Sequence, residues 1–449
     1  SDTFTLSYWV KKYTNSTSIV DQNIFVAGTG GGTYFIIGFA TGPNIFSEGS
    51  GGNFSRSYLT TTAMYRDTSA WYHVVHRYDS TQATSTNRIR LYVNGEQITS
   101  FSNQTMQTDI AQNEDISFIN QSGVVQAFGG LAGSGAGSEG ADVQMAEIVF
   151  NDGQSYGPDS YGEFKNGVWI PKDPSGLTFG DNGYWLNFAA SGDLGNDVSG
   201  NNNDFTVSGI SAHDQMLDSP TFNSDSNGGN FCTWNPLRVN QATQTFAEGN
   251  TQFSSTQTNT NPAVTGTLGA TSGKWYWEIR IVAQGNTSNS VGVCRTSAGL
   301  EADTEALWGA TGDVVWMYLA GGNKRTNATS SSYGNSWTTG DILQVAMDID
   351  NGAVYFGKNN TWQNSGDPTS GASKTGAAFT NLADKGHLQP YSLVYNSGDQ
   401  VVNFGPNGTF NGAETAGDNA DDTGYGNFLY DVPAGFLAMC AGNLPTAAA

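Results

Sequence analysis

At 449 residues the chain exceeds what one hydrophobic core usually serves, so two large domains are expected. Its 58 glycines, its many Asn, Ser and Thr residues, and a content of 12% aromatic but only 13% charged residues favour sheets over helices and argue against disorder. Forty acidic against 18 basic residues leave a net charge of −22, which repels phosphate backbones and anionic lipid and so argues against nucleic acid, while no run of about 18 apolar residues offers a membrane span.

In chain order, FTLSYWV at 4–10 alternates as a strand, followed by IFVAG at 24–28 and TYFIIGFA at 33–40 between Gly-rich turns. The stretch from Ala70 to Phe101 holds two alternating runs around Asn94-Gly95, the pair that a type I′ hairpin turn selects because both central residues take positive φ. His73 and His76 stand three apart on a strand, so they face opposite sides and cannot share a metal. QMAEIVF closes this half near Phe150.

Several of these pieces together, FTLSYWVKK, TTAMYRDTSAWYHVVHRYD, NRIRLYVNGEQITSF, AEIVFNDGQ and the trailer GVWIPKDPSGLTFGDNGYWLNF, resemble the laminin-G or concanavalin-A-like lectin sandwich of tail-associated and fibre proteins of marine bacteriophages. That family usually has a strand ahead of the one at Phe4, so the chain is expected to be part of a longer or processed polypeptide. Residues 191–231, dense in Gly, Asn, Asp and Ser, read as an extended connector; their DVSGNNNDF string resembles a segment of the same phage proteins and is expected to lie ordered against a domain.

Strand signals return in GKWYWEIRIV, SVGVC, DVVWMYLAGG, GDILQVAMDIDNGAVYFGKNNTW, LQPYSLVY and DQVVNFG, a succession that resembles a SPRY domain, a bent antiparallel sandwich that binds proteins or glycans and has no catalytic activity of its own. Near the end, Phe428, Tyr430, Val432, Phe436 and Leu437 are too apolar for a loose tail and should dock on that sandwich. The expected organisation is all-β: two antiparallel β-sandwiches of jelly-roll type, a lectin-like domain with its trailer at 1–190, the connector at 191–231, a SPRY-like domain at 232–410 and a docked carboxyl-terminal segment at 411–449.

Motifs with catalytic precedent occur in the wrong context. Glu301, Asp303 and Glu305 have the period-two spacing of a glucanase strand, yet they fall in a loop with Ala and Thr between them. Gly153-Gln154-Ser155-Tyr156-Gly157 fits a nucleophile elbow, but no amphipathic helix follows, and only His213 and His387 lie downstream. Gly135, Gly137 and Gly140 form a GxGxxG that opens no helix. Asp348-Ile-Asp-Asn-Gly352 departs from a calcium loop in its Gly position and in having Asn359 twelfth, so it reads as a hairpin turn. The three cysteines, Cys232, Cys294 and Cys440, show neither CxxC spacing nor an even count, and a basic signal-peptide n-region is absent.

The expected function is therefore binding without catalysis. Rings that stack on sugar faces and amides that take hydroxyls are sought on loops beside rigid sheets, which singles out Asn323, Lys324, Arg325, Tyr333 and Trp362 as ligand-binding candidates. Calcium is the cofactor to consider for an acidic, Asn-rich β protein, with Asp21, Asn23 and Asp142 as candidate ligands. The resemblance implies a virion protein exposed to the extracellular medium, in a tail fibre or other host-contacting appendage, homo-oligomeric and trimeric by analogy. Its expected partners are host surface glycan or protein and other virion proteins, without insertion into a membrane. A capsid-decorating or tail-stabilising role is the alternative, and a glycan depolymerase the third.

Overall fold

A computed structural model describes residues 2–14, 21–30, 32–40, 42–52, 54–130, 140–165, 167–220, 228–239, 244–256, 258, 261–298 and 307–444. The chain folds as two compact units, Ser1–Gln215 and Met216–Ala449.

The first unit is built from β1 (Thr3–Lys12), β2 (Asp21–Gly30), β3 (Thr33–Ala40), β4 (Ile45–Gly51), β5 (Phe54–Thr61), β6 (Trp71–Asp79), β7 (Ile89–Val93), β8 (Glu96–Ile98), β9 (Phe101–Asn103), β10 (Val125–Phe128), β11 (Val143–Asp152), β12 (Gly162–Lys165), β13 (Val168–Pro171) and β14 (Tyr184–Leu186). Two antiparallel sheets of order β14-β11-β1-β6-β7-β8 and β10-β2-β3-β4-β5-β9 face each other, and β12 and β13 form a separate hairpin. The alternation of β1 explains the sandwich: Phe4, Leu6, Tyr8 and Val10 enter the core between the sheets, where they meet Phe25, Phe35, Ile37, Val74 and Tyr78. β1 continues past its apolar run through Lys11 and Lys12, both buried. Lys12 manages this by lying over the Phe39 ring at 4.6 Å, and burial lowers its pKa to about 8.

The outer face of the β1–β6 sheet is covered as well. There Val75, Tyr92 and Val149 pack against Tyr161, Leu177 and Phe179 of the chain that follows β11. The two histidines obey strand alternation, with His76 in the core between the sheets beside Tyr8 and Ser47, and His73 on the outer face beside Ser7 and Trp169. Asn94 and Gly95 take φ of 49° and 84°, as the β7–β8 turn requires. In the DVSGNNNDF string, Asp197 accepts from the Trp185, Ser199 and Asn203 backbone amides, while Asn201 and Asn203 both donate to the Gly183 carbonyl.

The second unit contains β15 (Trp234–Val239), β16 (Gln244–Ala247), β17 (Gln252–Ser255), β18 (Ala263–Gly266), β19 (Lys274–Ala283), β20 (Ser290–Arg295), β21 (Val315–Leu319), β22 (Asn323–Thr326), β23 (Thr329–Ser332), β24 (Ile342–Asp348), β25 (Ala353–Lys358), β26 (Thr361–Trp362), β27 (Leu388–Leu393), β28 (Asp399–Asn403) and β29 (Leu437–Ala438). Its sheets run β15-β18-β27-β20-β21-β22-β23 and β16-β17-β28-β19-β24-β25-β26, with β29 pairing parallel to β19. Trp275, Trp277 and Ile279 of β19 point into the core with Trp234 and Trp316. On the other face of β19, Tyr276 packs with the buried Phe428 and Phe436, and Arg280 pairs with Glu414 at 2.8 Å. Asp348 to Gly352 form the β24–β25 turn, where Asp348 accepts from the Asn351 backbone and side-chain nitrogens.

Candidate functional site

The ligand candidates of the second unit fall into four surroundings. On β22, Lys324 turns inward: its Nζ donates to the Ala378 carbonyl at 2.6 Å and lies 5.3 Å from the Phe379 ring centroid and 5.8 Å from that of Tyr333, with burial lowering its pKa. Tyr333 packs on the main core in edge contact with Tyr318 and Phe356, and its hydroxyl accepts from the Phe356 amide at 3.2 Å. Arg325, on the other face of β22, stacks over Trp308 at 4.3 Å and donates to the Trp308 carbonyl and to Ser330 Oγ. Trp362 is half-buried against the cluster of Tyr276, Tyr355 and Phe436. Asn323 alone of the five is exposed. Lys324 and Tyr333 are thus brought together, but by packing within the unit.

Of the calcium candidates, Asn23 is buried on β2, whereas Asp142 stands immediately before β11 with its carbonyl accepting from Tyr13 N at 3.1 Å. Asp21 opens β2, and its side chain lies outside what is described. No three His, Cys, Asp or Glu side chains converge as metal ligands among the described residues. Glu301, Asp303 and Glu305 lie outside the described residues, as do Gly135 and Gly137. Ser155 Oγ accepts from Arg77 Nε, and the chain beyond it makes one 3-10 turn at Pro158–Ser160.

The arrangement best suited to hold a ligand is in the first unit, on the β12–β13 hairpin. Phe164 and Trp169 are direct cross-strand partners, with ring centroids 4.9 Å apart at 68°. Trp169 stacks on His73 and donates its indole N–H to His73 Nδ1 at 2.9 Å. Since Nδ1 accepts, the imidazole proton resides on Nε2, which donates to Ser7 Oγ at 2.8 Å. Burial lowers the pKa of His73 to about 3, so the ring is neutral at ordinary pH and fixes the indole. Trp169 also needs two glycines: a Cβ on Gly95 would come within 2.7 Å of the indole and one on Gly162 within 2.5 Å.

This anchored indole forms one wall of a cleft of about 560 Å³, bounded further by Tyr65, Trp71, Val93, Ile98, Phe164 and Val168, with Asn94 and Glu96 as its polar groups. The volume is in the range of small-ligand sites. Phe164 is 62% exposed and Val168 54% exposed, so apolar and aromatic surface is presented to solvent on a hairpin whose Trp169 is anchored to His73. Asn94 Oδ1 is committed to the His73 backbone N–H at 2.8 Å. A wider groove of about 980 Å³ follows the sandwich edge past Phe128, Tyr184 and Phe205, but these three rings are spent on one another in tilted and edge contacts.

The cleft escapes a reading of the sequence, although a signal is present. In the sequence, Asn166-Gly167 repeats the Asn94-Gly95 pair, and Phe164 and Trp169 stand at mirrored positions about it.

Residues 1–132 match the concanavalin A-like lectin/glucanases superfamily, and residues 274–407 match the SPRY domain family. The β12–β13 hairpin lies outside both matched regions. Among solved structures, the SPRY domain of human HERC1 is similar at 23% identity and a TM-score of 0.30, over 38% of this chain and 96% of that one. Stonustoxin is similar at 21% identity and 0.30, over 38% of this chain and 27% of that one, and the PSpry domain of TRIM65 at 15% identity and 0.28, over 38% and 91%. The chain thus carries a concanavalin A-like lectin domain followed by a SPRY domain.

Proposed function

We propose that this chain is a non-catalytic adhesion component of a phage particle, in a tail fibre or other host-contacting appendage, and that it binds host surface glycan through the Phe164–Trp169 cleft. The observation that carries this reading is the exposed aromatic surface on an anchored hairpin, beside Asn94 and Glu96. Aromatic faces suit the apolar faces of pyranose rings, and a few polar groups at the rim suit their hydroxyls. The lectin and SPRY domains are consistent with a binding or adhesion role. The phage assignment rests on the resemblance of the sequence pieces quoted above. Weak single sites suffice in such a setting, because copies repeated on one particle raise avidity by about 10² to 10⁴.

A glycan array probed with the intact chain, with and without a chelator, tests the reading and any calcium dependence together. Retention on host glycans that weakens for Phe164→Ala supports it. Silence across the array, or release of reducing ends from host polysaccharide, counts against it.

A further inference from the structure

Resting on that reading, we infer that the cleft selects a sugar carrying a protonated amine, a hexosamine unit without its acetyl group, over neutral and acidic sugars. Glu96 supplies the carboxylate: it is the first residue of β8, directly after the turn whose Gly95 lies under the Trp169 indole. Glu96 and Trp169 both line this cleft. Among the described residues no lysine or arginine lines the cleft; Lys165 is the cross-strand partner of Val168, beside the Phe164–Trp169 pair on the hairpin. Glu96 is exposed and makes no ion pair among the described residues.

An ammonium group on a stacked sugar gains twice here, from the carboxylate and from the negative faces of the aromatic rings. An acetylated hexosamine keeps the stacking and loses both charge terms. A uronic acid meets Glu96 with no countercharge, on a chain whose net charge is −22.

The test is calorimetric titration of the intact chain with three tetrasaccharides, of glucosamine, of N-acetylglucosamine and of galacturonic acid, at low and high salt. The glucosamine tetramer is expected to bind roughly five- to twenty-fold more tightly than its acetylated counterpart. Added salt should shrink that ratio. Glu96→Gln should abolish the ratio by weakening the glucosamine tetramer far more than the acetylated one, and Phe164→Ala should weaken both. Equal affinities in the wild type overturn the amine selection. So does a preference that survives Glu96→Gln, since that would be general attraction to an acidic chain. In either case continued binding of the acetylated tetramer leaves the glycan reading standing. If none of the three binds and the glycan array is also silent, the glycan reading falls as well.

Discussion

Glu278 of β19 holds the carboxyl-terminal segment to the SPRY sandwich. Its Oε2 accepts from the Leu429 backbone N–H at 2.9 Å and its Oε1 from that of Tyr430 at 2.8 Å, while Tyr276 Oη donates at 2.9 Å and Asn403 Nδ2 at 3.4 Å. Burial pushes the carboxyl pKa from 4.5 up to about 7, against the pull of those hydrogen bonds. Between these two values the folded chain keeps a proton that the unfolded chain has released. The group's contribution is therefore fully present below pH 4.5 and is lost as pH rises through about 7. That displacement is worth about 3 kcal/mol. Glu278→Gln has nothing to titrate, so its stability relative to wild type should climb by about that amount across the same window. Hydrogen exchange of a peptide spanning Leu429 and Tyr430, corrected for intrinsic rates, reads the clamp locally in both proteins. A gap between wild type and variant that stays constant from about pH 4 to about pH 8 would show that this carboxyl does not titrate as its burial demands. Glu278→Ala should loosen the segment at every pH, because two amides lose their acceptor at about 1–3 kcal/mol each.

The first unit should respond to pH in the opposite sense. Burial lowers the pKa of His73 and His76 from 6.5 to about 3, so the stability they confer is present above 6.5 and is lost as pH falls through about 3. At about pH 5 the loss is roughly 2 kcal/mol per histidine, and urea unfolding of that unit with no decline between about pH 7 and about pH 5 would contradict it. Gly95→Ala should cost about 1–2 kcal/mol for its positive φ alone, and its Cβ would displace the Trp169 indole, so glycan affinity should fall with thermal stability. Tyr333→Phe should destabilise the second unit by about 1–3 kcal/mol by leaving the Phe356 amide without its acceptor, with array binding unchanged because Tyr333 does not line the Phe164–Trp169 cleft.

Local patterns make much of the architecture legible. Alternation in FTLSYWV and GKWYWEIRI announces strands whose apolar face must be covered, and Asn94-Gly95 sets a hairpin because few other pairs tolerate two positive φ values. Strands β4 and β5 carry no such signal, since IFSEGSG and FSRSYLTT have Gly, Ser and Thr where a clear apolar alternation would be expected. Composition likewise bounds the partners by charge.

The candidate site is hardly legible at all. Lys324 and Tyr333 look like displayed recognition residues in sequence, but β22 turns the lysine onto the Phe379 and Tyr333 rings. The cleft draws on Tyr65, Trp71, Glu96, Phe164 and Trp169, residues spread over about a hundred positions and gathered only because the trailer folds back on the outer face of the β1–β6 sheet. Sequence alone determined that this protein builds strands, turns and an acidic surface, since those depend on near neighbours and summed charge. Which rings are buried and which face solvent was decided by tertiary structure, because burial depends on what the rest of the chain lays over each face.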